Sequence, residues 1–439
     1  MDIQRPRTLF GHDEPMTTAL IEDLEWRGLI SQTTDRAALL KDLNAAPISF
    51  YLGFDPTAPS LHVGNLVVLL VMRRFQLAGH KPIPLVGGAT GLVGDPSGRN
   101  EERSLNEEAT VAEWVARIRK QLEKFLDFGA SKNAAVLVNN LDWTKKLSAL
   151  ELLRDIGKHF SVNQMLSKDS VATRLEGGGI SYTEFSYQVL QGMDFLELYR
   201  RNNCTLQIGG SDQWGNIIAG LDLIRKADGG SAHALTIPLM AKSDGSKFGK
   251  TAGGSVWLDP EMTSPYAFYQ FWINTEDSDV EKYLKVFSFK DRAEIERLIE
   301  TVKVNPGARE AHRELAREIT TLVHGGEQCA NVEAASKALF GQGELRELDQ
   351  ETLAAALSQL PNAKISAKEN YPTWVDLICA TGVVDSKSAA RRIVKEGGAY
   401  LNNEKISGED FAPTSKDLVH GKYLILRKGK RDLASVEVE

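Results

Sequence analysis

Between residues 48 and 88 the apolar positions change their period twice. Residues 48–54 form a short apolar run, a Pro-bounded turn follows, apolar residues continue from Leu66 to Met72, and a second short run covers 83–86. Such a change from strand-like to helix-like spacing and back predicts a β-α-β unit. Strand-like and helix-like stretches alternate to about residue 245, with further strands at 204–208 and 235–240, which predicts a parallel sheet covered by helices. Residues 142–203 interrupt it as a mostly helical insertion, with apolar helical spacing at 147–156 and 182–199. The chain then reads as helical over 264–340, where 292–300 and 309–318 carry charged, solvated faces. Gly341, Gly343 and Pro361 stand among polar residues with one short Ala/Leu helix, so a connector is predicted at 346–370 and a domain boundary near 371. The expected order is an α/β domain over 1–250, an α-helical domain over 251–345, the connector, and a small α+β domain over 371–439. No repeat or low-complexity segment is visible.

Composition narrows the class. The chain has 439 residues, 42% hydrophobic and 25% charged, enough for two or three globular domains with real cores. Its longest apolar run stops at Arg73-Arg74, well short of the roughly 20 residues that span a bilayer. The first residues mix Asp2, Arg5, Arg7, His12, Asp13 and Glu14 without an apolar core, so neither a secretory signal nor a membrane segment is predicted and a cytoplasmic location is expected. Cys204, Cys329 and Cys379 are scattered, with no CxxC spacing, which predicts neither disulfides nor a metal site. The net charge of −7 argues against nonspecific coating of nucleic acid. The charge is uneven, however: 371–439 carries 11 Lys+Arg against 10 Asp+Glu, while the rest carries 41 against 49. Lys387, Arg391, Arg392 and Lys395 fall at helical spacing with no acid between them, and Lys422, Arg427, Lys428, Lys430 and Arg431 form a second group. Local basic patches of this kind can follow phosphates.

Two short motifs carry candidate chemistry. His62-Val-Gly-Asn65 lies at the turn into the first predicted helix, where Gly64 would leave backbone N–H groups bare toward a phosphate, with His62 and Asn65 adding donors. Lys247-Phe-Gly-Lys-Thr251 follows the last predicted strand on a loop containing Gly245, Gly249, Gly253 and Gly254. Taken singly, His62 could simply cap its helix and the lysines could sit on an exposed loop. A P-loop reading of Gly249-Lys250-Thr251 fails because Asp244 stands where the leading glycine belongs and no helix follows.

Together the two motifs resemble the paired ATP-handling signatures of class I aminoacyl-tRNA synthetases. The likeness extends through Tyr51-Leu-Gly-Phe-Asp-Pro-Thr57, the glycine-rich block from Leu85 to Gly98, Phe185-Ser-Tyr187-Gln-Val-Leu-Gln191-Gly-Met-Asp194 and Gln207-Ile-Gly-Gly-Ser-Asp-Gln-Trp-Gly-Asn216. Five blocks in this order resemble the bacterial-type tyrosyl-tRNA synthetases. One departure is Asn65, where the family has His; Asn can donate a hydrogen bond but cannot carry a proton's charge. Residues 383–403 resemble an S4-type RNA-binding module, with a basic helix, a Gly-Gly stop and a strand bearing Asn402-Asn403.

The resemblance implies a Rossmann-type catalytic domain that activates tyrosine with ATP and transfers it to the 3′ end of tRNA(Tyr). It implies Thr57, His62, Asn65, Lys247, Lys250 and Thr251 in the chemistry, with Asp55, His62, Asn65, Gly209, Gly210, Asp212 and Lys250 on ATP. Tyrosine would be held by Tyr51 and Asp194 at its hydroxyl, by Asp95, Tyr187 and Gln191 at its amino group, and by Gln213 near its carboxylate. RNA contacts fall to Lys387, Arg391, Arg392, Lys395, Arg427 and Lys428. ATP is then a substrate, accompanied by Mg2+, with no tightly bound cofactor, and the enzyme is expected to be a homodimer through its apolar insertion. Two other readings remain at this stage: a noncatalytic RNA-binding protein on a decayed core, and a tryptophanyl enzyme. Intact Lys247, Lys250, His62, Asp95 and Gln191 disfavour the first, and the pair Tyr51 and Asp194 disfavours the second.

Overall fold

The computed structural model describes residues 16–97, 106–176, 179–251, 254–366, 370–429 and 431–439. The N-terminal residues 1–15, Gly98, Gly253 and Lys430 lie outside these. The chain packs as two compact units. The first runs to Asp259 and takes in Glu276–Ala311; the second comprises Pro260–Thr275 and His312–Glu439.

The first unit is built on six strands: β1 (Gln32–Thr33), β2 (Ser49–Phe54), β3 (Lys81–Val86), β4 (Val138–Asn139), β5 (Cys204–Gly210) and β6 (His233–Ile237). Their order across the sheet is β1-β6-β5-β2-β3-β4, parallel except for β1 on the edge. Strand β2 is apolar because it is central: Phe50, Tyr51, Leu52 and Phe54 are all buried, as the run of large residues requires for a strand covered on both faces. Helix Val63–Leu77 crosses from β2 to β3, and its apolar residues from Leu66 to Met72 are buried except for the half-buried Val68. Pro238 closes β6, so the strand ends three residues before the expected 240. The chain passes from β2 to one side of the sheet and later returns as β5 on the other. A crevice therefore opens beyond the carboxyl ends of β2 and β5.

The insertion is helical in pieces. The expected helix over 147–156 is divided into Ala149–Glu151, a π turn at Leu152–Ile156 and a 3-10 turn at Gly157–His159, whereas Tyr182–Asn202 is one helix of 21 residues. It ends at Asn203 in the left-handed conformation (φ 50°), where asparagine is well tolerated.

The structure divides the downstream chain differently from the sequence reading. Helices Asp277–Phe287 and Arg292–Val304 join the first unit instead of a separate helical domain. Buried arginines explain this: Arg27 donates to the carbonyls of Lys285, Ser288 and Lys290, and Arg74 donates to that of Ser288. The predicted connector is also structured. Helix Gln350–Leu357 packs on Pro265–Ile273 and Gly326–Leu339, and β9 (Asn362–Ile365) runs parallel to β13 (Asp432–Val438). With β10 (Ala399–Leu401), β11 (Glu404–Lys405) and β12 (Tyr423–Lys428), these form a five-stranded sheet in the order β11-β10-β12-β13-β9. A core around Trp374, Ile378, Ala390, Leu424 and Val436 supports it.

Candidate active site

A cleft of about 540 Å³ opens at the carboxyl ends of β2, β5 and β6. Thr57, His62, Asn65, Tyr51, Asp55, Asp95, Tyr187, Gln191, Asp194, Gly209, Gly210, Asp212, Gln213 and Lys247 all line it. Its size falls in the range of small-molecule sites. The first signature segment pairs by its backbone with residues 256–258, a few positions beyond the second: Val63 donates to Val256, Leu258 donates to Leu61, and His62 bridges Trp257. Residues nearly two hundred positions apart thus form one rim.

At the start of helix Val63–Leu77 the N–H groups are not bare, contrary to the sequence expectation. His62 Nδ1 accepts from Gly64 N at 3.0 Å and from Asn65 N at 3.3 Å. Asn65 Oδ1 in turn accepts from His62 N at 3.1 Å, closing a reciprocal cap of a kind that stabilises a helix by about 1 kcal/mol. Gly64 is needed by the ring itself, since a Cβ there would stand 2.8 Å from His62 Cε1. Because Nδ1 accepts, the proton of neutral His62 sits on Nε2, which leaves that nitrogen a donor. Burial, opposed by the backbone hydrogen bond and assisted by the charge of Lys250, lowers the pKa of His62 and so favours this neutral form.

Deeper in the cleft, polar groups are buried in an unusual number. The Tyr51 hydroxyl is buried beside the Gln207 side chain, close enough for that neighbour to act on it but without a well-formed hydrogen bond, and Gln191 Oε1 and Gln207 Oε1 are buried in the same condition. The Tyr51 ring is fixed against Phe195, with centroids 5.2 Å apart. Asp194 is 2% exposed, with Oδ1 accepting from Trp143 Nε1 at 2.8 Å and Oδ2 from Asn140 Nδ2 at 2.9 Å. Burial pushes its carboxyl up to about 7, against the lowering effect of those two donors. Asn140 is fully buried and saturated, for it also donates to Thr90 Oγ1 and accepts from Ala89 N. Asp55 accepts from Thr90 Oγ1 and from the Tyr187 hydroxyl, each at 2.6 Å. A chain of hydrogen bonds therefore joins Asp194 to Tyr187 through Asn140, Thr90 and Asp55.

Asn140, Trp143 and Thr90 did not emerge from sequence. Asn140 and Trp143 lie at the end of β4 and in the short helix Leu141–Thr144, in a segment with no motif. Only their place beside the β4 strand end could have drawn notice. Asp95 accepts from Ser97 N and from Gln213 Nε2 at 2.6 Å, so the proposed amino and carboxylate contacts are already linked. The glycines after β5 have protein-internal reasons: a Cβ at Gly209 would crowd Ile217 and Gln213, and one at Gly210 would collide with the Asp212 carboxylate.

Lys247 is exposed and lines the cleft, whereas Lys250 and Thr251 stand exposed on β7 (Lys250–Thr251), paired with β8 (Gly254–Ser255), and do not line it. In the second unit, helix Lys387–Lys395 presents its basic residues outward, but acids from other elements stand near them. Lys387 pairs with Asp376, Arg391 and Lys395 face Glu409, Arg392 faces Glu396, and Lys428 faces Asp432. These exposed pairs are each worth about 0–1 kcal/mol and exchange readily for phosphate. Arg427 is different, because its guanidinium lies 4.1 Å over the Tyr400 ring and is partly buried. Asn402 and Asn403 are not on a strand. Both have positive φ (48° and 71°) and form the two-residue turn between β10 and β11, the role for which asparagine is favoured. Their amides donate to the carbonyls of Asp417 and Ala338, so they brace the fold.

Among the described residues no three His, Cys, Asp or Glu side chains are placed to hold a metal ion. No described helix is long and apolar enough to cross a membrane.

Comparison with known proteins agrees with this geometry. Residues 43–341 match the family of tRNA synthetases class I (W and Y), and 352–436 match the tyrosine–tRNA ligase SYY-like C-terminal domain. The tyrosine–tRNA ligase of Streptomyces coelicolor is 62% identical over 423 residues, covering 96% of this chain and 99% of its own. That of Mycobacterium bovis is 55% identical over 424 residues, covering 96% and 99%. A C-terminally truncated mitochondrial tyrosyl-tRNA synthetase from Aspergillus nidulans superposes with a TM-score of 0.67 at 33% identity, over 73% of this chain and 94% of that one. With both of its parts matched and nearly its whole length shared, the chain belongs to the class I tRNA synthetases, among the tyrosine–tRNA ligases.

Proposed function

We propose that this chain activates L-tyrosine with ATP and transfers the tyrosyl group to tRNA(Tyr). The observation that carries the choice of amino acid is the buried Tyr51 hydroxyl, which stands near Asp194 and beside the Gln207 side chain without a well-formed hydrogen bond. A phenolic hydroxyl entering between them would donate to the carboxylate and accept from Tyr51, satisfying both. Phenylalanine would leave the Tyr51 hydroxyl without an acceptor and bring no further donor to Asp194, and an indole would bring no acceptor for Tyr51.

Activation needs no general base, because the tyrosine carboxylate is already ionised when it attacks the α-phosphate and pyrophosphate leaves. The residues must place the reactants and offset charge as it develops. Asp95, Gln191 and Tyr187 hold the ammonium group, and Gln213, already bonded to Asp95, lies next to the carboxylate. His62 Nε2–H and Thr57 offer donors toward the polyphosphate, with the Asn65 amide beside them. Asp212 and the Gly209-Gly210 backbone receive the nucleoside. Asp55 supports Tyr187 through a hydrogen bond, a more structural part than the ATP contact anticipated from sequence. Lys247, with Lys250 on its hairpin, meets the departing pyrophosphate. Mg2+ accompanies ATP in this reading.

The partner surfaces follow the same reading. Helix Lys387–Lys395 offers phosphate contacts for tRNA. The insertion exposes Leu150, Leu153, Val162 and Leu166, apolar residues that a second copy would cover in a homodimer. A cytoplasmic location suits all of these substrates.

The test is amino-acid-dependent exchange of pyrophosphate into ATP with each proteinogenic amino acid in turn. Tyrosine alone should support it, and exchange with tryptophan or phenylalanine instead would overturn the reading. In the same assay Tyr51→Phe should lower the tyrosine-to-phenylalanine ratio of kcat/KM roughly 2- to 12-fold, the range for one lost hydrogen bond of about 0.5–1.5 kcal/mol. An unchanged ratio would remove Tyr51 from the pocket.

The raised Asp194 carboxyl gives a pH dependence with a definite sign. The ionised form is the acceptor the substrate needs, so KM for tyrosine should rise as pH falls below about 7, by up to about tenfold per unit. Asp194→Asn should bind tyrosine more weakly and show no such dependence. The unliganded fold responds oppositely: from about pH 4 to 7 folded Asp194 keeps a proton that the unfolded chain releases, so stability falls as pH rises through that window. A tyrosine KM that is flat from pH 6 to 8 in the unmodified enzyme would contradict the assignment.

A further inference from the structure

Lys247 is less free than a glycine-rich loop suggests. Residues 241–247 close on themselves: Ala241 and Lys247 form an antiparallel bridge, Lys242 N donates to Ser246 O, and Gly245 N donates to Lys242 O. Gly245 (φ 80°) makes the turn, and Asp244 Oδ1 accepts from Ser246 N. This closed turn is tied to helix Asp277–Phe287 at two points. Ser243 donates both its N–H and its hydroxyl to Asp279 Oδ1, and Lys282 Nζ donates to Ala241 O at 3.0 Å. Asp279 is only 4% exposed, although Ser243 is exposed. Its position in the first turn of the helix also suits a carboxylate.

The residue after Lys247 is anchored on the same helix. Phe248 packs edge-on to Tyr283 at 5.0 Å and stacks on Phe287 at 5.4 Å. Positions 279, 283 and 287 are four apart and share one helix face, so a single face grips the segment on both sides of Lys247. Beyond it Gly249 (φ 75°) presses on Val63, where a Cβ would come within 2.6 Å of Val63 Cγ2. The lysine therefore leaves a fixed base with only its side chain free, while Lys250 lies farther on in the exposed β7-β8 hairpin.

We infer that Asp279 is a positioning residue for Lys247: by holding the 241–247 turn through Ser243 it sets where the ammonium group stands over the cleft. It touches no substrate and acts only through the lysine. The inference rests on the activation chemistry proposed above. Since one oxygen accepts both bonds, an amide oxygen can replace it in kind, although bonds to an ionised acceptor are roughly twice as strong.

The experiment is a double-mutant cycle read by the single-turnover rate of tyrosyl-adenylate formation, with the tyrosine dissociation constant measured on the same samples. Asp279→Ala should slow the step at least about fivefold while moving tyrosine binding less than about twofold. Ser243→Ala, at an exposed position, should give a smaller loss of the same kind, and Asp279→Asn should recover most of the rate. The deciding comparison is Lys247→Ala with Lys247→Ala/Asp279→Ala. If Asp279 acts through Lys247, the double variant is no slower than Lys247→Ala to within about twofold. Multiplied losses, or tyrosine binding lost in step with the rate, would overturn the inference. Should Asp279→Ala fail to fold, Ser243→Ala with Lys247→Ala completes the same cycle and is judged by the same criterion. Unmodified enzyme that exchanges pyrophosphate with tyrosine but yields an additive cycle condemns only the role of Asp279; unmodified enzyme that does not exchange condemns the reading of the site, and the inference with it.

Discussion

Lys247→Ala and Lys250→Ala should each slow tyrosyl-adenylate formation by roughly 10²–10³-fold while leaving tyrosine affinity nearly unchanged. The size follows from the usual loss on removing one preorganised group from a developing anion, about 2.7–4 kcal/mol. The selectivity follows from position. The proposed tyrosine pocket comprises Tyr51, Asp95, Tyr187, Gln191 and Asp194, and Lys247 lines the same cleft from a different segment. Lys250 stands on the exposed hairpin, yet its charge is felt at His62, on the side assigned to the polyphosphate. An ammonium group so placed has little to interact with until pyrophosphate separates, so its removal should appear in the rate of the chemical step and hardly in the ground state. Rapid-quench measurement of adenylate against equilibrium tyrosine binding separates the two. Equal losses in both, or none in either, would leave the lysines as ordinary surface residues.

What was legible in the sequence was whatever depends on a local period or a contiguous motif. The unit β2, helix Val63–Leu77 and β3 could be read because each apolar run is short and bounded by Gly, Pro or Arg. The cleft residues of the first four blocks come together because each block sits at the end of a strand or along the helix facing it. Contacts that depend on distant pairing stayed hidden. From sequence, His62 suits either a helix cap or a ligand donor. The structure shows the cap, and capping through Nδ1 leaves Nε2–H as the donor proposed for a ligand. Asn65 illustrates the same limit: its departure from the family pattern concerned donors, whereas its oxygen is used to close the cap. Asn140 and Trp143 were missed because a lone amide and a lone indole in unpatterned chain say nothing until Asp194 is placed between them. The domain boundaries failed for a related reason. Nothing local in Arg27 announces that it will bind carbonyls some 260 residues away, nor does the short run 362–365 announce its pairing with the last strand. Asn402-Asn403 was legible in principle, because two consecutive asparagines between short strands are a turn signal that the resemblance to a nucleic-acid surface overrode.

Removing the C-terminal part should separate the two halves of the reaction. A cut after Asn370 would strand β9 without β13, its only strand partner in the sheet order, leaving an unpaired edge that invites aggregation. The structure places the better cut after Leu360, which keeps helix Gln350–Leu357 packed on Pro265–Ile273 and Gly326–Leu339. The shortened chain should still exchange pyrophosphate into ATP with tyrosine, since every residue lining the cleft lies before this point. It should charge tRNA at least about a hundredfold more slowly, because the phosphate contacts proposed for Lys387, Arg391, Arg392 and Lys395 would contribute salt-sensitive affinity and no chemistry. In the full-length chain Arg391→Glu/Arg392→Glu should reproduce the effect without truncation, and more severely than neutral substitutions, since Glu409 and Glu396 would then face like charge. The logarithmic salt dependence of tRNA binding should flatten by about two, one for each lost phosphate contact. Exchange and aminoacylation measured in parallel decide the matter: a shortened chain that charges tRNA as well as the intact one would deny the C-terminal sheet and its basic helix any part in binding RNA.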